Sequence, residues 1–534
     1  MTLRLPTLLL TAALVAAPAL AAMQEPAQPG PAAPETVPAE ATPDPTGSQR
    51  EPAADEPESV RAFRALDLRR LESDRAYAES MIRHFDALPP VAADDEHGRL
   101  RIEGLRIYAM VTAGRTREAG ALIDDVLARR PGVAAAYALP WFGALRLNDA
   151  DRAIAVVEQA TRSVRSSEWP SLRALLEKDH VWMVMRRHPG EAGLPRRARL
   201  AEALFRIGWP GHDDPAARDS LRMIMLNAQL ARSDLRDAAD LAAGITTSGN
   251  MVSLITLKRY DAVIGSQDRL ALLGRAIAAE DQATAAAVAA APEDLSKLLG
   301  RALFLREQGR DADAFALLEP FTRDVAATVA RDDDGMWVIN EAAYALLALG
   351  RDDEAVALTA AVAALPIAGR PELISISINH SAVLLRAGRN EEALAHATRL
   401  DRDFSQHASE YGRMWMLASA ACALERLGRR EAVAPLLRRL RSGRAANPAA
   451  LTRTYLCLND LGAAEALVIQ RLRGDEAELL VRSFQDFRIA GAVAEDPVLL
   501  RFESLRQRPA VRAAIERVGR ILPLPMARTY WGAT

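Results

Sequence analysis

The chain of 534 residues carries 67 Lys or Arg and 70 Asp or Glu, so its formal net charge at pH 7 is −3. This near balance gives no support for nucleic acid as a bulk partner. Half of the residues are hydrophobic but only 5% are aromatic, and the apolar residues are mainly alanine and leucine, which favour helices.

The N-terminal residues 1–21 have the three-part layout of a secretory signal peptide. A single charge at Arg4 precedes an apolar run, and small residues surround a cleavage site near Ala21. The run is shorter than the ~20 apolar residues that a spanning helix needs. We therefore expect export to the periplasm, with no transmembrane segment left after signal cleavage.

Residues 22–57 are rich in proline and alanine. Because proline lacks a backbone N–H and has a fixed φ, this stretch cannot form the interior of a helix or sheet. We predict a disordered linker with some polyproline II character. It either holds the folded part away from a surface or serves only to keep the chain soluble.

A short motif recurs along the rest of the chain: Gly, Arg, two variable residues, an acid and Ala. The glycine suits the left-handed cap that ends one helix, and the acid suits the first turn of the next. Full copies occupy residues 114–119, 309–314, 350–355 and 388–393, and shortened copies occupy 428–432 and 462–466. The predicted hairpin turns are therefore Gly114, Gly309, Gly350, Gly388, Gly428 and Gly462.

These hairpins resemble the tetratricopeptide repeat (TPR). That family has a small residue seven positions before the turn glycine, where this chain has Ala302, Ala343, Ser381 and Ala421. The resemblance implies an all-α fold in which TPR-like helical-hairpin repeats form a right-handed α-solenoid. The chain is a divergent relative, since its turns advance by up to 41 residues (Gly309 to Gly350) where the family prefers ~34.

The clearest break in the helical pattern lies at residues 244–250, which read Gly-Ile-Thr-Thr-Ser-Gly-Asn. We accordingly predict an N-terminal helical-repeat half at 58–249 and C-terminal TPR-like repeats at 250–475. Capping helices and an irregular tail are expected at 476–534, because the last repeat of a solenoid must present a polar outer face.

No sequence motif for catalysis is found. The chain lacks a G-x-S-x-G elbow, a P-loop and a G-x-G-x-x-G loop, so we expect no enzyme, no cofactor and no metal. His180 and His188 would lie ~12 Å apart on a helix, too far to share an ion, and His212, His380, His396 and His407 lack a metal-binding pattern. The pairs Glu72-Ser73 and Glu503-Ser504 lack the glycine-rich context of lysozyme-like enzymes.

The two cysteines, Cys422 and Cys457, are 35 residues apart, close to one helical hairpin. An exported chain with an even number of cysteines allows a disulfide. Two separate buried thiols are the alternative, and we favour it because free cysteine is commonly buried.

A binding face can be predicted by counting back from each turn, because the first helix of each TPR hairpin lines the concave face. The residues expected there are Trp337, Asn340, Tyr344, Arg386, Trp415 and Arg426. Large aromatic side chains on a groove are typical binding anchors. The alternative is that the two tryptophans are core residues.

Arginines also form a run that includes Arg438, Arg439 and Arg441. Arginine binds phosphate and carboxylate groups through paired hydrogen bonds, so this run is a candidate anion patch. An ordinary solvated helix face is the alternative.

The sequence favours a periplasmic, non-enzymatic scaffold that binds a protein or peptide partner in the bacterial envelope, with no nucleic acid. A second hypothesis is an accessory of envelope polysaccharide assembly or export, whose anionic glycan would contact the arginines. A third is a cell-wall-active enzyme.

Overall fold

The computed structural model describes residues 70–71, 74–88, 96–129, 132–210, 214–367, 370–489, 491 and 495–529. The signal peptide and linker predicted within 1–57 lie outside these residues, as does His212. The described residues are overwhelmingly α-helical and are arranged as successive helical hairpins. The prediction of an all-α fold built from TPR-like hairpins is therefore confirmed.

The described residues fall into two compact units. The first comprises the described residues from 70 to 189 together with 206–208, and the second comprises 190–205 together with the described residues from 209 to 529. In the first unit the earlier helices pack mainly on their neighbours in sequence, whereas the last helix, Lys178–Arg186, packs on the helix Ala150–Ser163. Its helices are α1 (Arg75–Ala87), α2 (Glu96–Thr112), α3 (Thr116–Arg129), α4 (Ala138–Arg146), α5 (Ala150–Ser163), α6 (Trp169–Leu175) and α7 (Lys178–Arg186).

The second unit contains most of the repeats. Its earlier helices are α8 (Leu194–Arg206), α9 (Pro215–Ala231), α10 (Leu235–Ala243), α11 (Ser248–Thr256), α12 (Asp261–Ile264), α13 (Arg269–Ala290), α14 (Leu295–Glu307), α15 (Asp311–Thr322), α16 (Val325–Arg331) and α17 (Gly335–Ala348). The later elements are α18 (Asp352–Ala363), α19 (Ile374–Arg386), α20 (Asn390–Asp403), α21 (Glu410–Arg426), α22 (Arg430–Ser442), α23 (Pro448–Cys457), α24 (Leu461–Arg471), α25 (Ala477–Ser483), β1 (Asp486–Arg488), α26 (Pro497–Gln507), α27 (Pro509–Val518) and β2 (Pro523–Ala527).

The recurring motif makes the hairpin turns. Glycines 114, 309, 350, 388 and 428 all have a φ between 73° and 82°, a left-handed conformation that costs glycine little. After Gly350, for example, the N–H of Arg351 donates to the carbonyl of Leu346 at 2.9 Å, as in a Schellman cap. The shortened motif at Gly462 differs, because Asn459 takes the left-handed position with φ 57° and Gly462 lies inside α24.

The structure also explains the second and fifth residues of the motif. In each full copy the arginine after the glycine pairs with the acid three residues later, as in Arg351–Glu354 and Arg389–Glu392 at 2.7 and 2.6 Å. The small residues of the two paired helices are fully buried, so the helices approach closely. The motif therefore encodes both the turn and the packing.

The predicted boundary at 249/250 does not coincide with the division into units, which falls at 189–209. The segment around it is instead a tight junction between α10 and α11. The fully buried carboxylate of Asp219 accepts from the backbone N–H groups of Thr246 and Thr247 at 2.6 and 2.8 Å and pairs with Arg222 at 2.6 Å. A sequence that reads as a linker is thus fixed by Asp219, 27 residues earlier, and by Glu280, which accepts from the backbone N–H and the hydroxyl of Ser248 at 2.7 and 2.6 Å.

The C-terminal elements do more than cap the last repeat. Strands β1 and β2 pair in parallel, so the tail expected to be irregular contains a strand. The residues near β2 also contact a much earlier part of the second unit: Leu257 and Gly519 form a β-bridge, and Arg520 binds Asp261 at 2.6 Å. The second unit is therefore closed by contacts between its C-terminal segment and residues 255–261.

Candidate binding groove

A groove of about 1070 Å³ opens in the second unit. It is lined by α17, α19 and α21, the first helices of three successive hairpins, together with residues 444–449 and parts of α24 and α25. Binding sites in proteins typically have volumes of roughly 300–1,000 Å³. The groove is thus large enough for a ligand or for several residues of a partner chain.

Three aromatic side chains line this groove: Trp337 on α17, and Tyr411 and Trp415 on α21. The two tryptophans are half-buried and pack against the same apolar cluster, which includes Ile374 and Ile378. Tyr411 is 54% exposed, and its ring meets that of Trp415 edge-on at 6.4 Å. Their burial holds the tryptophans in place while part of each ring faces the groove.

Polar groups between the aromatic residues are neutral or paired. The amide of Asn379 donates to the side-chain oxygen of Asn340 at 3.0 Å, which joins α19 to α17. Glu341 lines the groove but is almost buried, and its carboxylate forms an ion pair with Arg306. The negative charge of Glu341 is thereby balanced within the protein.

The remaining charged side chains of the groove include equal numbers of positive and negative groups. The buried Arg471 pairs with Glu476 at 3.0 Å and donates to the hydroxyl of Thr452 at 3.0 Å. Arg444 and Asp475 are both exposed and carry opposite charges. The groove accordingly offers aromatic and amide surface without an excess of either charge.

The structure brings three of the six predicted face residues to the groove: Trp337, Asn340 and Trp415. Tyr344 was expected on this face but is fully buried, with the guanidinium of Arg306 5.4 Å from its ring centre. The expectation was wrong because α17 packs against α14, α15, α16, α18 and α19. Its C-terminal half therefore has no open face, whereas the counting rule assumed one.

Arg386 and Arg426 lie near the turn ends of their hairpins and do not line the groove. Arg426 donates to the backbone carbonyl of Leu385 at the end of α19, so it joins two neighbouring first helices. Arg386 is half-buried. The groove lies toward the other end of these helices, which the periodicity alone did not indicate.

The candidate anion patch is largely occupied by the protein's own groups. Arg439 makes two hydrogen bonds to Asp401, at 2.8 and 3.1 Å, and this pairing raises the pKa of Arg439. Arg441 donates to the hydroxyl of Tyr455 at 3.0 Å. Arg438 is exposed. Two of the three arginines are therefore engaged in contacts that the sequence did not reveal, because their partners lie in other helices.

Cys422 of α21 and Cys457 of α23 are joined by a disulfide, with a Cα–Cα distance of 5.3 Å. The favoured alternative of two separate buried thiols is therefore not what the structure contains. Both cysteines are at least 90% buried. The bond links α21, which carries Tyr411 and Trp415, to the helix of the next hairpin.

Sequence reasoning missed Tyr411 and Asn379. Asn340 lies ten residues before its turn glycine, Gly350, whereas Asn379 lies nine before Gly388, so a fixed register passed over it. Tyr411 lies in the first turn of α21, which at 17 residues is longer than α17 or α19. A large aromatic residue in the first turn of an unusually long helix was the available signal.

The histidines do not converge on a metal. His180 faces Glu177 at 3.0 Å and His188 faces Asp151 at 3.8 Å, while the side chain of His407 is outside the described part. Within the described ranges, no three His, Cys, Asp or Glu side chains are grouped so that they could hold an ion. No described helix is both long and apolar enough to cross a membrane.

His380 is buried, and its ring meets that of the half-buried His396 edge-on. Their ring centres are 4.9 Å apart, Nδ1 of His380 is 2.7 Å from the hydroxyl of Thr359, and Nε2 of His396 donates to the carbonyl of Ser377 at 3.0 Å. Burial, with a smaller contribution from His396, lowers the pKa of His380 to about 4. Both rings are therefore neutral near pH 7.

This burial predicts a loss of stability in acid. Because the folded-state pKa of His380 is about 4 and an unfolded histidine has a pKa of roughly 6.5, the unfolded chain binds the proton more readily between these values. The contribution of neutral His380 to the free energy of unfolding is complete above pH 6.5 and is lost as the pH falls toward 4. We expect a decrease of about 2 kcal/mol between pH 6.5 and 5.

Urea unfolding of the wild type and of His380→Gln at both pH values measures this effect. The variant should lose less stability in acid than the wild type, because glutamine does not titrate. His84→Gln, which changes an exposed histidine of α1, is the control and should keep the wild-type pH dependence. If the free energy of unfolding falls equally with pH in the wild type and in His380→Gln, His380 is not responsible for the loss of stability in acid.

No protein-family model matches the chain, and no curated protein matches its sequence. The chain is similar to a chain of the Naa15/Naa10 complex bound to HypK-THB, with 13% identity over 87% of this chain and 75% of that one, at a TM-score of 0.28. It is also similar to a chain of the human IFIT1 dimer with m7Gppp-AAAA, with 13% identity over 84% of this chain and 84% of that one, at a TM-score of 0.29. A third similar chain is that of the APC/C hetero-tetramer Cut9-Hcn1, with 12% identity over 86% of this chain and 92% of that one, at a TM-score of 0.26.

Proposed function

We propose that the chain is an exported, non-enzymatic scaffold of the bacterial envelope, and that its groove binds an extended segment of a partner protein. The observation that carries this proposal is the placement of Trp337 and Trp415. They stand at the same distance before their turn glycines, two hairpins apart, and both line one groove. Partly exposed aromatic side chains in a concave site are the usual anchors of protein interfaces.

The polar lining agrees with a polypeptide ligand. Asn379 and Gln470 offer amide groups that can donate to and accept from a main chain. The charges of the groove are balanced, so binding would depend on shape, apolar contact and hydrogen bonding. These are the features of the central part of a protein interface, where charged residues are depleted.

Export is supported by two independent features. Residues 1–21 have the layout of a signal peptide, and the chain contains a disulfide. Disulfides persist in oxidising compartments such as the periplasm and are rare in the cytosol.

The alternative hypotheses draw less support. A polysaccharide accessory was inferred from the arginine run, but Arg439 and Arg441 already hold Asp401 and Tyr455. A cell-wall enzyme was considered because of Glu503-Ser504, but the carboxylate of Glu503 binds two arginines and belongs to the packing of the C-terminal segment.

Site-specific crosslinking tests the groove directly. A photo-reactive phenylalanine analogue replaces Ser375, which lines the groove between the two tryptophans, in the full chain produced with its own export signal. We expect crosslinks to one stretch of an envelope protein, and we expect Trp337→Ala with Trp415→Ala to remove them. Far-UV circular dichroism establishes that this variant is folded.

The same analogue at the exposed Arg232, which lies outside the groove lining, is the control and should not capture that partner. Crosslinks that persist in the double variant would contradict the proposed groove. Turnover of peptidoglycan by the purified chain would instead favour the enzyme hypothesis. Salt-sensitive retention on an anionic polysaccharide, lost when Arg438, Arg439 and Arg441 become Gln, would favour the polysaccharide accessory.

A further inference from the structure

The spacing of the groove residues restricts the conformation of the bound segment. Helices α17 and α19 pack directly on each other, as do α19 and α21, and packed helices lie roughly 8–10 Å apart. Trp337 and Trp415 occupy the two outer helices at equivalent positions. They are therefore separated by two helix spacings, about 16–20 Å.

The helix between them has a small side chain at the equivalent position. Ser375 lies thirteen residues before Gly388, as Trp337 does before Gly350, and it lines the groove. The wall accordingly alternates between a large ring, a small side chain and a large ring. A ligand that follows it should have a contact that repeats at each helix spacing.

Polyproline II is the extended conformation whose repeat matches one helix spacing of roughly 8–10 Å. A polyproline II helix turns once every three residues and rises ~3.1 Å per residue, so its faces repeat every ~9 Å. A β-strand repeats every two residues, or ~6.6 Å; three such repeats also span α17 to α21, but none coincides with α19, which lies one helix spacing of roughly 8–10 Å from each of them. In polyproline II, residues six positions apart reach the two tryptophans.

The chemistry of the groove fits the same ligand. Aromatic-lined grooves are the established surface for proline-rich segments, because the rings pack on indole and phenol faces and the preformed helix loses little entropy on binding. Such a segment has no internal hydrogen bonds, so its carbonyls need donors. Gln470, exposed at the groove, and Asn379 can supply them.

We propose that the groove binds a proline-rich segment of its partner protein in the polyproline II conformation. This inference rests on the proposed function and specifies its ligand. The balanced charge of the groove gives no advantage to an acidic or a basic peptide. Affinity should instead depend on proline rings that reach Trp337 and Trp415 from residues six apart.

Fluorescence anisotropy with a labelled proline decamer tests this on the full mature chain. We expect binding that weakens at least about tenfold in Trp337→Leu and also weakens in Tyr411→Ala, whose side chain is exposed and so can be truncated without loss of folding. Trp182→Leu, which changes a half-buried tryptophan of α7, is the matched control and should leave the affinity unchanged.

A glycine-serine decamer that binds as tightly as the proline decamer would overturn the inference. Binding of the proline decamer that is unaffected by Trp337→Leu and Tyr411→Ala would also overturn it. So would binding of cellohexaose to the wild type that is lost in these two variants. If the Ser375 crosslinks persist in the wild type while the proline decamer does not bind, the proposed function stands and the ligand assignment fails.

Discussion

Removing the disulfide should lower the free energy of unfolding by about 4 kcal/mol. Cys422 and Cys457 close a loop of 35 residues, and the chain-entropy relation gives this value because the bond restricts the unfolded chain. Urea unfolding of Cys422→Ala/Cys457→Ala, compared with the oxidised wild type, measures the change. The transition should shift to lower urea concentration.

Reduction provides the control for this prediction. The wild type in excess dithiothreitol should unfold at the same urea concentration as the double variant, because both lack the bond. If the reduced and oxidised wild type unfold together, the bond contributes nothing. Loss of the disulfide should also weaken crosslinking from Ser375, because the bond holds α21 against α23. Helix α21 carries Tyr411 and Trp415.

The second large effect is expected at Arg528, which is almost fully buried beside the rings of Phe487 and Phe502. It donates to the carbonyl of Ser483 at 2.8 Å and pairs with Glu503 at 3.0 Å. Burial lowers its pKa to about 10. Arg528→Met should cost about 3–5 kcal/mol, because it breaks an ion pair whose guanidinium is almost fully buried and leaves the partly buried Glu503 carboxylate with one of its two arginine partners.

Two further variants separate this explanation from a loss of packing. Adding Glu503→Gln to Arg528→Met should recover part of the stability, because it removes a carboxylate that has lost one of its two arginine partners. Arg508→Met breaks the more exposed ion pair with Glu465, and it should cost under about 1 kcal/mol. Equal urea midpoints for Arg528→Met and Arg508→Met would contradict the assigned role of Arg528.

The hairpins could be predicted from the sequence because their signals are local. A turn glycine, an acid in the next first turn and a buried alanine all lie within six residues, and they require nothing from the rest of the chain. Asn459 shows where this reasoning ends. Its left-handed turn carries no glycine, so the motif places the turn at the nearby Gly462, which lies within a helix.

The candidate groove was predicted only in part, because burial depends on distant elements. Trp337 and Trp415 line it as expected, but Tyr344 is enclosed by helices whose positions the periodicity does not fix. The partner of Arg439 is Asp401, 38 residues earlier in another helix. Residue spacing along one helix cannot show such a pairing, so the sequence predicts an open patch where Arg439 is in fact paired.

The closure of the second unit has a consequence for how the chain folds. Arg520 donates to the carbonyl of Ile255, 265 residues earlier, and pairs with Asp261. An open array can gain stability repeat by repeat from its neighbours, but contacts this distant in sequence form slowly and only when both ends are present. The second unit can therefore reach its native state only after the C-terminal segment that carries Arg520 has been synthesised. Nascent or truncated chains would expose unpaired apolar surface during that interval, which makes them candidates for chaperone binding and proteolysis.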